Sequence, residues 1–389
     1  MPSGVFAPAS LGPITLRNRI IKAATFEGAS PKGQVTDALV DYHVRVAAGG
    51  VGMSTVAYLA VAPEGRTGRG CIVLGQDTLE GLQRLTDAIH AEGAAAAAQI
   101  GHAGPVANPK SNRLPALAPS RHLSPMGTIA QAVTEADIAR ITADYEKGAA
   151  VAVAAGFDAL EIHLGHNYLL SAFLSPKLNK RKDGWGGSLD NRARFARQVV
   201  QAVRRAAGDK VAVTAKLNMT DGVPGGLWLD ESVEVARMLE ADGCLDALEL
   251  TGGSSLSNPM YLFRGEAPLE EFGATLPAPF QLGFKLLGKR FMPSYPFEEA
   301  FFLPYARQFR DALEMPLILL GGINRLETIE HAVALGFPFV AMARALLRQP
   351  DLVNKMQKGE ATEGLCVHCN KCMPTIYSGT RCVLVPPSA

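Results

Sequence analysis

Glu161-Ile-His-Leu-Gly-His-Asn-Tyr168 decides how the rest of this chain is read. A short apolar run, 159–164, leads directly into two imidazoles and a phenol. Parallel α/β proteins keep their reactive groups at the carboxyl ends of buried strands. Two histidines three apart can donate hydrogen bonds to one small oxygen, and a tyrosine two residues on can supply a proton. That set suits polarising a carbonyl and protonating the neighbouring carbon. The same His-x-x-His spacing also serves as half of a metal site, or as two satisfied polar residues. The surrounding sequence has to decide.

Working outward, strand-like runs fall at 19–24, 51–57, 94–100, 159–164, 211–217, 247–251, 317–321 and 339–343. Helical stretches lie between them at 36–48, 78–92, 135–155, 191–207, 230–242, 307–314 and 326–335, most with the spacing of a helix that covers a sheet. Asn191 and Asp230 are read as N-caps, and Gly93, Gly208, Gly243 and Gly336 as stops. Five alanines, 94–98, favour helix by propensity, but the run ends in Gln99 and His102 and fits the alternation, so a strand is assigned. The expectation is an α/β protein, a (β/α)8 TIM barrel with long loop insertions after strands three and six. A doubly wound open sheet is the competing fold, but its Gly-x-Gly-x-x-Gly turn after the first strand is missing. The insertion 101–134 reads as a long loop over the barrel mouth. The insertion 254–304 is open to three readings: a lid or partner flap, a membrane-surface segment, or a packed excursion.

Lys plus Arg (38) nearly cancels Asp plus Glu (37) in 389 residues, so no nucleic-acid partner is expected. Hydrophobic residues make up 48%, enough for a sizeable core. The opening residues lack the features of a secretory leader, and no run approaches the roughly 20 apolar residues that span a bilayer. A cytoplasmic protein without a transmembrane segment is expected.

Read in order, the strand ends carry Ala23, Ala24 and Thr25; Gln99 then His102; His163 and His166; Lys216 and Asn218; Gly321-Gly322-Ile323-Asn324; and Ala341-Met342-Ala343-Arg344. A Gly-rich turn and helix start beside an arginine can cradle a phosphate, although Gly321-Gly322 alone also suits a tight strand-to-helix turn.

At these residues the chain resembles the old yellow enzyme family, flavin-dependent NAD(P)H oxidoreductases whose barrel holds FMN. The resemblance runs from about Leu11 onward. It rests on Leu16-Arg-Asn-Arg-Ile20, Gln99-Ile-Gly-His-Ala-Gly104, the His163/His166/Tyr168 set, Phe173-Leu-Ser-Pro176, Trp185-Gly-Gly-Ser-Leu-Asp-Asn-Arg192 and Ala343-Arg344. It implies that His163 and His166 anchor a substrate oxygen and that Tyr168 donates the proton. It places Gln99 on the flavin pyrimidine edge, Thr25 near flavin O4, and Ala23, Ala24 and Ala57 around the cofactor. Gly321, Gly322, Ala343 and Arg344 match its phosphate site. Lys216 falls where most members carry arginine beside flavin N1 and O2, keeping the charge but losing the planar fork. Asn167 stands where many members have glycine, a position an αL-tolerant Asn can fill.

Six cysteines are present, and four crowd the last 24 residues as Cys366, Cys369, Cys372 and Cys382. Thiols at this density argue for a metal. Their spacing resembles the [4Fe–4S] ligands of trimethylamine dehydrogenase and 2,4-dienoyl-CoA reductase. A [4Fe–4S] cluster, a zinc ion and unligated thiols all stay open, with His368 as an alternative ligand. Cys71 and Cys244 read as core or loop thiols. Asp183 and Asp190 read as carboxylates fixing a loop against Arg192 and Arg194.

The resulting expectation is one FMN-binding barrel domain over 1–389, with a lid-like insertion at 254–304 and a cysteine-rich tail at 364–389. It takes hydride from NADH or NADPH and reduces the activated C=C bond of an enone or enal, with a homo-oligomer possible. The alternative is an iron–sulfur flavoprotein dehydrogenase or demethylase, or an electron-transfer subunit that docks to a separate redox protein. An amine dehydrogenase would need an aromatic cage for its cation.

Overall fold

A computed structural model describes residues 4–124 and 127–386; residues 1–3, 125–126 within the 101–134 insertion and 387–389 of the cysteine tail lie outside the described residues. Eight strands close a parallel barrel in chain order: β1 (Ile20–Lys22), β2 (Met53–Ala60), β3 (Ala95–Gly101), β4 (Ala159–Leu164), β5 (Ala212–Asn218), β6 (Ala247–Thr251), β7 (Leu317–Leu320) and β8 (Phe339–Met342), which pairs back onto β1. The helices that follow them are α1 (Asp37–Ala48), α2 (Leu79–Ala91), α3 (Glu135–Ala154), α4 (Leu189–Ala207), α5 (Leu229–Ala241), α6 (Leu303–Ala312), α7 (Leu326–Ala334) and the short α8 (Leu352–Gln357). The barrel expected from the sequence is the one observed. The alanine run is strand, because the barrel interior has room for small side chains and closure outweighs helix propensity.

Each strand is buried on both faces, and the period of two sorts its residues. Leu160, Ile162 and Leu164 of β4 join the outer core beneath the helices, as do Val213, Ala215 and Leu217 of β5. Ala159, Ala212, Ala247, Ile318 and Phe339 point inward at the amino end. Above them the inward positions turn polar: Glu161, Thr214 and Glu249, then His163, Lys216 and Thr251. One alternation therefore builds both the packed wall and the reactive layer.

Sequence reading missed what closes the bottom. Ala9–Leu11 and Ile14–Leu16 form an antiparallel hairpin whose Leu11 and Leu16 plug the inward core at 1% exposure each. Leu16-Arg-Asn-Arg-Ile20 clasps this end through main-chain carbonyls. Arg17 donates to Ala47, Val51 and Glu92 at 2.5, 2.9 and 2.8 Å, and Asn18 to Gly50 at 2.7 Å.

Several local expectations are corrected. Ser188 caps α4, accepting from Asn191 N at 3.3 Å, and α5 begins at Leu229, so Asn191 and Asp230 sit inside first turns. Ser188 follows Gly187, whose freedom lets the chain enter the helix earlier than the apolar pattern suggests. The 101–134 insertion is more than a loop. It carries a three-stranded sheet, with Ile129–Ala132 between Ala116–Ala118 and His122–Leu123. Asp183 pairs with Arg181 at 2.6 Å rather than with Arg192 or Arg194, and Arg192 bonds Glu231 and the Leu174 carbonyl. The 254–304 insertion holds three helices, Pro259–Phe263, Leu269–Thr275 and Ala278–Phe291. Its Met260 and Met292 form a satellite core with Met373 of the tail. The outward residues Phe280, Leu282, Leu286 and Leu287 stay exposed. No helix of the described residues is long and apolar enough to cross a membrane.

Leu16→Ala should lower the free energy of urea unfolding by about 3 kcal/mol, the usual cost of emptying a buried leucine site. Far-UV circular dichroism should stay unchanged. A loss below about 1 kcal/mol would show that the hairpin does not support the barrel.

Candidate active site at the carboxyl end of the barrel

The reactive layer is built on a buried charge network. Gln99 Nε2 donates to Glu161 Oε2 at 2.5 Å, and Lys216 Nζ to the same oxygen at 3.0 Å. Lys216 Nζ also lies 2.8 Å from Glu249 Oε1. Adjacent registers dictate this grouping, since Glu161 faces Gln99 on β3 while Lys216 faces His163 on β4 and Glu249 on β6. Burial alone would depress the Lys216 ammonium, but the two carboxylates outweigh it and hold its pKa above the ordinary lysine value. Burial, helped by the Glu161 charge, pushes Glu249 up to about 8. Sequence reading named Gln99 and Lys216 but passed over Glu161 and Glu249. An acidic residue at an inward position of an otherwise apolar strand was the available signal. The Lys216 charge is present as expected, but it is already matched by carboxylate.

One layer further out, the ring centroid of His163 lies 5.0 Å from His166 and 4.4 Å from Tyr168. The turn that gathers them is left-handed at two successive positions, His166 (φ 59°) and Asn167 (φ 61°). Such a conformation costs roughly 1–2 kcal/mol per non-glycine residue and needs support. The support is Asn218, whose Oδ1 accepts from His166 N at 3.0 Å while its Nδ2 donates to Asp221 and to the Gly253 carbonyl, both at 2.9 Å. Thr251, which sequence reading did not single out, lies 3.0 Å from His166 Nε2 through its Oγ1. Asn167 occupies the left-handed position expected of it and is buried.

Both imidazoles are held neutral. Burial, then the neighbouring His166 and Lys216, drives His163 well below the ordinary histidine value. Burial and Lys216 bring His166 to about 3. Burial raises the Tyr168 phenol, so it stays protonated at neutral pH. The site thus presents hydrogen-bond donors without cationic charge. His163 Nδ1 is buried with no partner among the described residues, a polar atom left for a bound group.

Around this set, Ala57 belongs to the apolar cluster against which Ala24 and Tyr168 pack, while Ala23 and Ala341, with Ala343 against them, belong to the inward barrel core. Thr25 Oγ1 lies 3.3 Å from Tyr42 Oη. At β7, Gly321 (φ 112°) and Gly322 (φ 73°) are required twice over, by positive φ and by crowding. A Cβ there would come within 2.5 Å of Phe302 and 2.6 Å of Phe301. The helix start expected to hold phosphate is in part already used: the amides of Asn324 and Arg325 donate to Glu299 at 2.6 and 3.0 Å. Arg344 is half-buried beside this corner, with Nη1 bonded to the Arg264 carbonyl at 3.1 Å and to Asn370 Oδ1. These residues would fit a phosphate-bearing cofactor, with the unpartnered His163 Nδ1 left to meet a bound group.

Cys366, Cys369, Cys372 and Cys382 line one small cleft that also touches Arg344 and Asn370. Among the described residues, no group of three or more His, Cys, Asp or Glu side chains is arranged to hold a metal ion. His368, the alternative ligand, is instead stacked on Phe297 with centroids 3.4 Å apart.

The His166 value sets a pH dependence. Its folded pKa lies below its ordinary 6.5, so the unfolded chain binds the proton more readily. The stability it contributes is complete above pH 6.5 and is lost as pH falls towards 3. His166→Asn should flatten the decline of the melting temperature over that range, by the equivalent of about 2 kcal/mol once solvent screening of this half-buried ring is allowed for. A slope equal to that of the unaltered protein would remove His166 from this role.

Comparison with known proteins agrees with the geometry. Residues 4–246 match the model of the NADH:flavin oxidoreductase / NADH oxidase family. The chain is 63% identical to 4,4'-dithiodibutanoate disulfide reductase of Rhodococcus erythropolis over 98% of its own length and 94% of that protein's. It is 32% identical to a metal reductase of Desulforamulus reducens over 96% of its length, yet it spans only 52% of that relative. Among solved structures, 2-naphthoyl-CoA reductase superposes with a TM-score of 0.84 at 26% identity, covering 99% of this chain and 57% of that one. The old yellow enzyme homologue of Zymomonas mobilis has the same fold, with a TM-score of 0.74 at 21% identity over 94% of this chain and 95% of that one. A buried donor set at the carboxyl end of a closed barrel and a family match over most of that barrel converge: the chain belongs to the NADH:flavin oxidoreductase / NADH oxidase family and is an FMN-dependent NAD(P)H oxidoreductase.

Proposed function

We propose that the protein reduces the activated C=C bond of α,β-unsaturated carbonyl compounds. The observation that carries this reading is the gathering of His163, His166 and Tyr168 at one barrel end with both imidazoles neutral. FMN, when bound, supplies the hydride step between NAD(P)H and the acceptor. Gln99 and Lys216 would hold its pyrimidine edge, Ala23, Ala24, Thr25 and Ala57 its surroundings, and Gly321, Gly322, Ala343 and Arg344 its phosphate. His163 and His166 donate hydrogen bonds to the carbonyl oxygen as negative charge develops there. One such donor is worth about 3 kcal/mol in a site closed to water. Tyr168, kept protonated by burial, delivers a proton to the carbon beside the carbonyl. Among the aromatic residues, Tyr261, Tyr295 and Phe301 surround the Arg264 guanidinium at 5.1, 5.6 and 5.0 Å. That cluster is filled from within by Arg264.

A second reading has one specific support, the 63% identical disulfide reductase. In it the same site passes two electrons to an organic disulfide, the S–S bond breaks, and Tyr168 protonates a departing thiolate. Either way we read 254–304 and 364–389 as additions to one FMN-binding barrel domain. We further infer that the four terminal cysteines hold a [4Fe–4S] cluster rather than zinc. The support is that all four thiols line one cleft, as a thiolate-ligated cluster needs.

Tyr168→Phe should leave bleaching of the flavin by NADPH within about twofold, while return of colour with cyclohexenone slows by about 100-fold, the scale of one positioned acid. Return at the normal rate would remove Tyr168 as proton donor. Turnover with 4,4'-dithiodibutanoate but not with cyclohexenone would replace the first reading by the second. Anaerobically purified protein should contain about four iron and four labile sulfide per chain. Protein free of both would end the cluster assignment.

A further inference from the structure

Arg344 and the cysteine tail meet at one residue. Asn370 lies between Cys369 and Cys372, is 1% exposed and is held at φ 56°. Its Nδ2 donates to the carbonyls of Arg264 and Glu266, both at 2.9 Å, and its Oδ1 accepts from Arg344 Nη1. The Arg264 carbonyl accepts from the same Nη1 at 3.1 Å. Both hydrogens of Nη1 are therefore committed. Among the described residues, neither Nε nor Nη2 of Arg344 is bonded to an acceptor. Those two nitrogens form the planar edge of the guanidinium that fits two oxygens of a phosphate.

We propose that Asn370 is a positioning residue for cofactor binding: it fixes one nitrogen of Arg344 so that the opposite edge meets the FMN phosphate, which makes the cysteine-bearing loop part of the cofactor site. The inference rests on the reading that Arg344 holds that phosphate. Three segments converge on the amide: the end of β8, the insertion after β6 at Arg264–Glu266, and the cysteine loop. An arginine tethered at one end loses less freedom when it grips an anion than one that must first be ordered. The linkage is reciprocal, so bound FMN steadies the loop by as much as the loop favours FMN.

The test is FMN affinity of the full-length apoprotein, read by quenching of free-flavin fluorescence. Asn370→Gly, which tolerates the left-handed backbone, should raise Kd about tenfold, and Arg344→Ala about 100-fold. In the double variant the loss should equal that of Arg344→Ala alone, because the two residues act as one unit. Asn370→Asp, which keeps an oxygen for Nη1, should recover affinity to within about threefold of the unaltered chain. A structural defect would multiply with Arg344→Ala and would not be rescued by Asp. A second measurement needs no substitution: hydrogen exchange of the 366–372 amides should slow when FMN is added. Asn370→Gly affinity within twofold of normal, multiplying losses, or unaltered exchange each overturns the proposal. An unaltered chain that takes up no FMN overturns the underlying reading, and this one with it.

Discussion

The Lys216 ammonium, buried among Glu161 and Glu249, is the constraint from which the active end of the barrel follows. A charge removed from water must be paired or neutralised, and breaking a buried pair typically costs about 3–5 kcal/mol. Lys216 satisfies that demand with a glutamate from each neighbouring strand, Glu161 as the carboxylate and Glu249 as a polar partner raised to about 8. The pairing holds β4, β5 and β6 in one register. A slip by one residue would turn every inward side chain outward and leave three ionisable groups against the helices. The same register stacks His163 and Thr251 above the network, with Asn218 above Lys216.

Upward from that network, each layer trades local cost for position. His166 and Asn167 accept left-handed backbone because Asn218 and Thr251 hold the turn. Burial strips both imidazoles of charge, and that loss is useful. A neutral donor polarises an oxygen without competing with the nearby ammonium for anions. Lys216 places a cation at this end of the barrel, but one held between Glu161 and a Glu249 pushed up to about 8.

The cysteine tail and the insertion after β6 pack together beside the end of β8. Met260, Met292 and Met373 bind them into one small core, and Asn370 joins both to Arg344. The tail also reaches the first barrel segment, where Thr380 N donates to the Glu27 carbonyl at 2.7 Å. The thiols thus sit against Arg344 and Asn370 rather than on a detached appendage.

How much of this was legible follows from the range of the forces involved. Strand and helix positions came through within a few residues because the period of two and the helical spacing are local consequences of burying one face. The candidate residues, from Gln99 to Arg344, could be named because titratable residues stand directly at strand ends. Helix starts slipped at Asn191 and Asp230, where cap geometry depends on how the chain enters the turn. The plugging hairpin and the small sheet were missed because their short strands carry almost no periodic signal. The amino-acid sequence by itself determined the barrel and supplied the imidazoles, the phenol and the four thiols. Tertiary structure alone decided which groups meet: Thr251 with His166, 85 residues away, Glu249 with Lys216, and Asn370 with Arg344. Those partners are set by closure of the strand ring and by docking of the tail, and neither leaves a pattern along the chain.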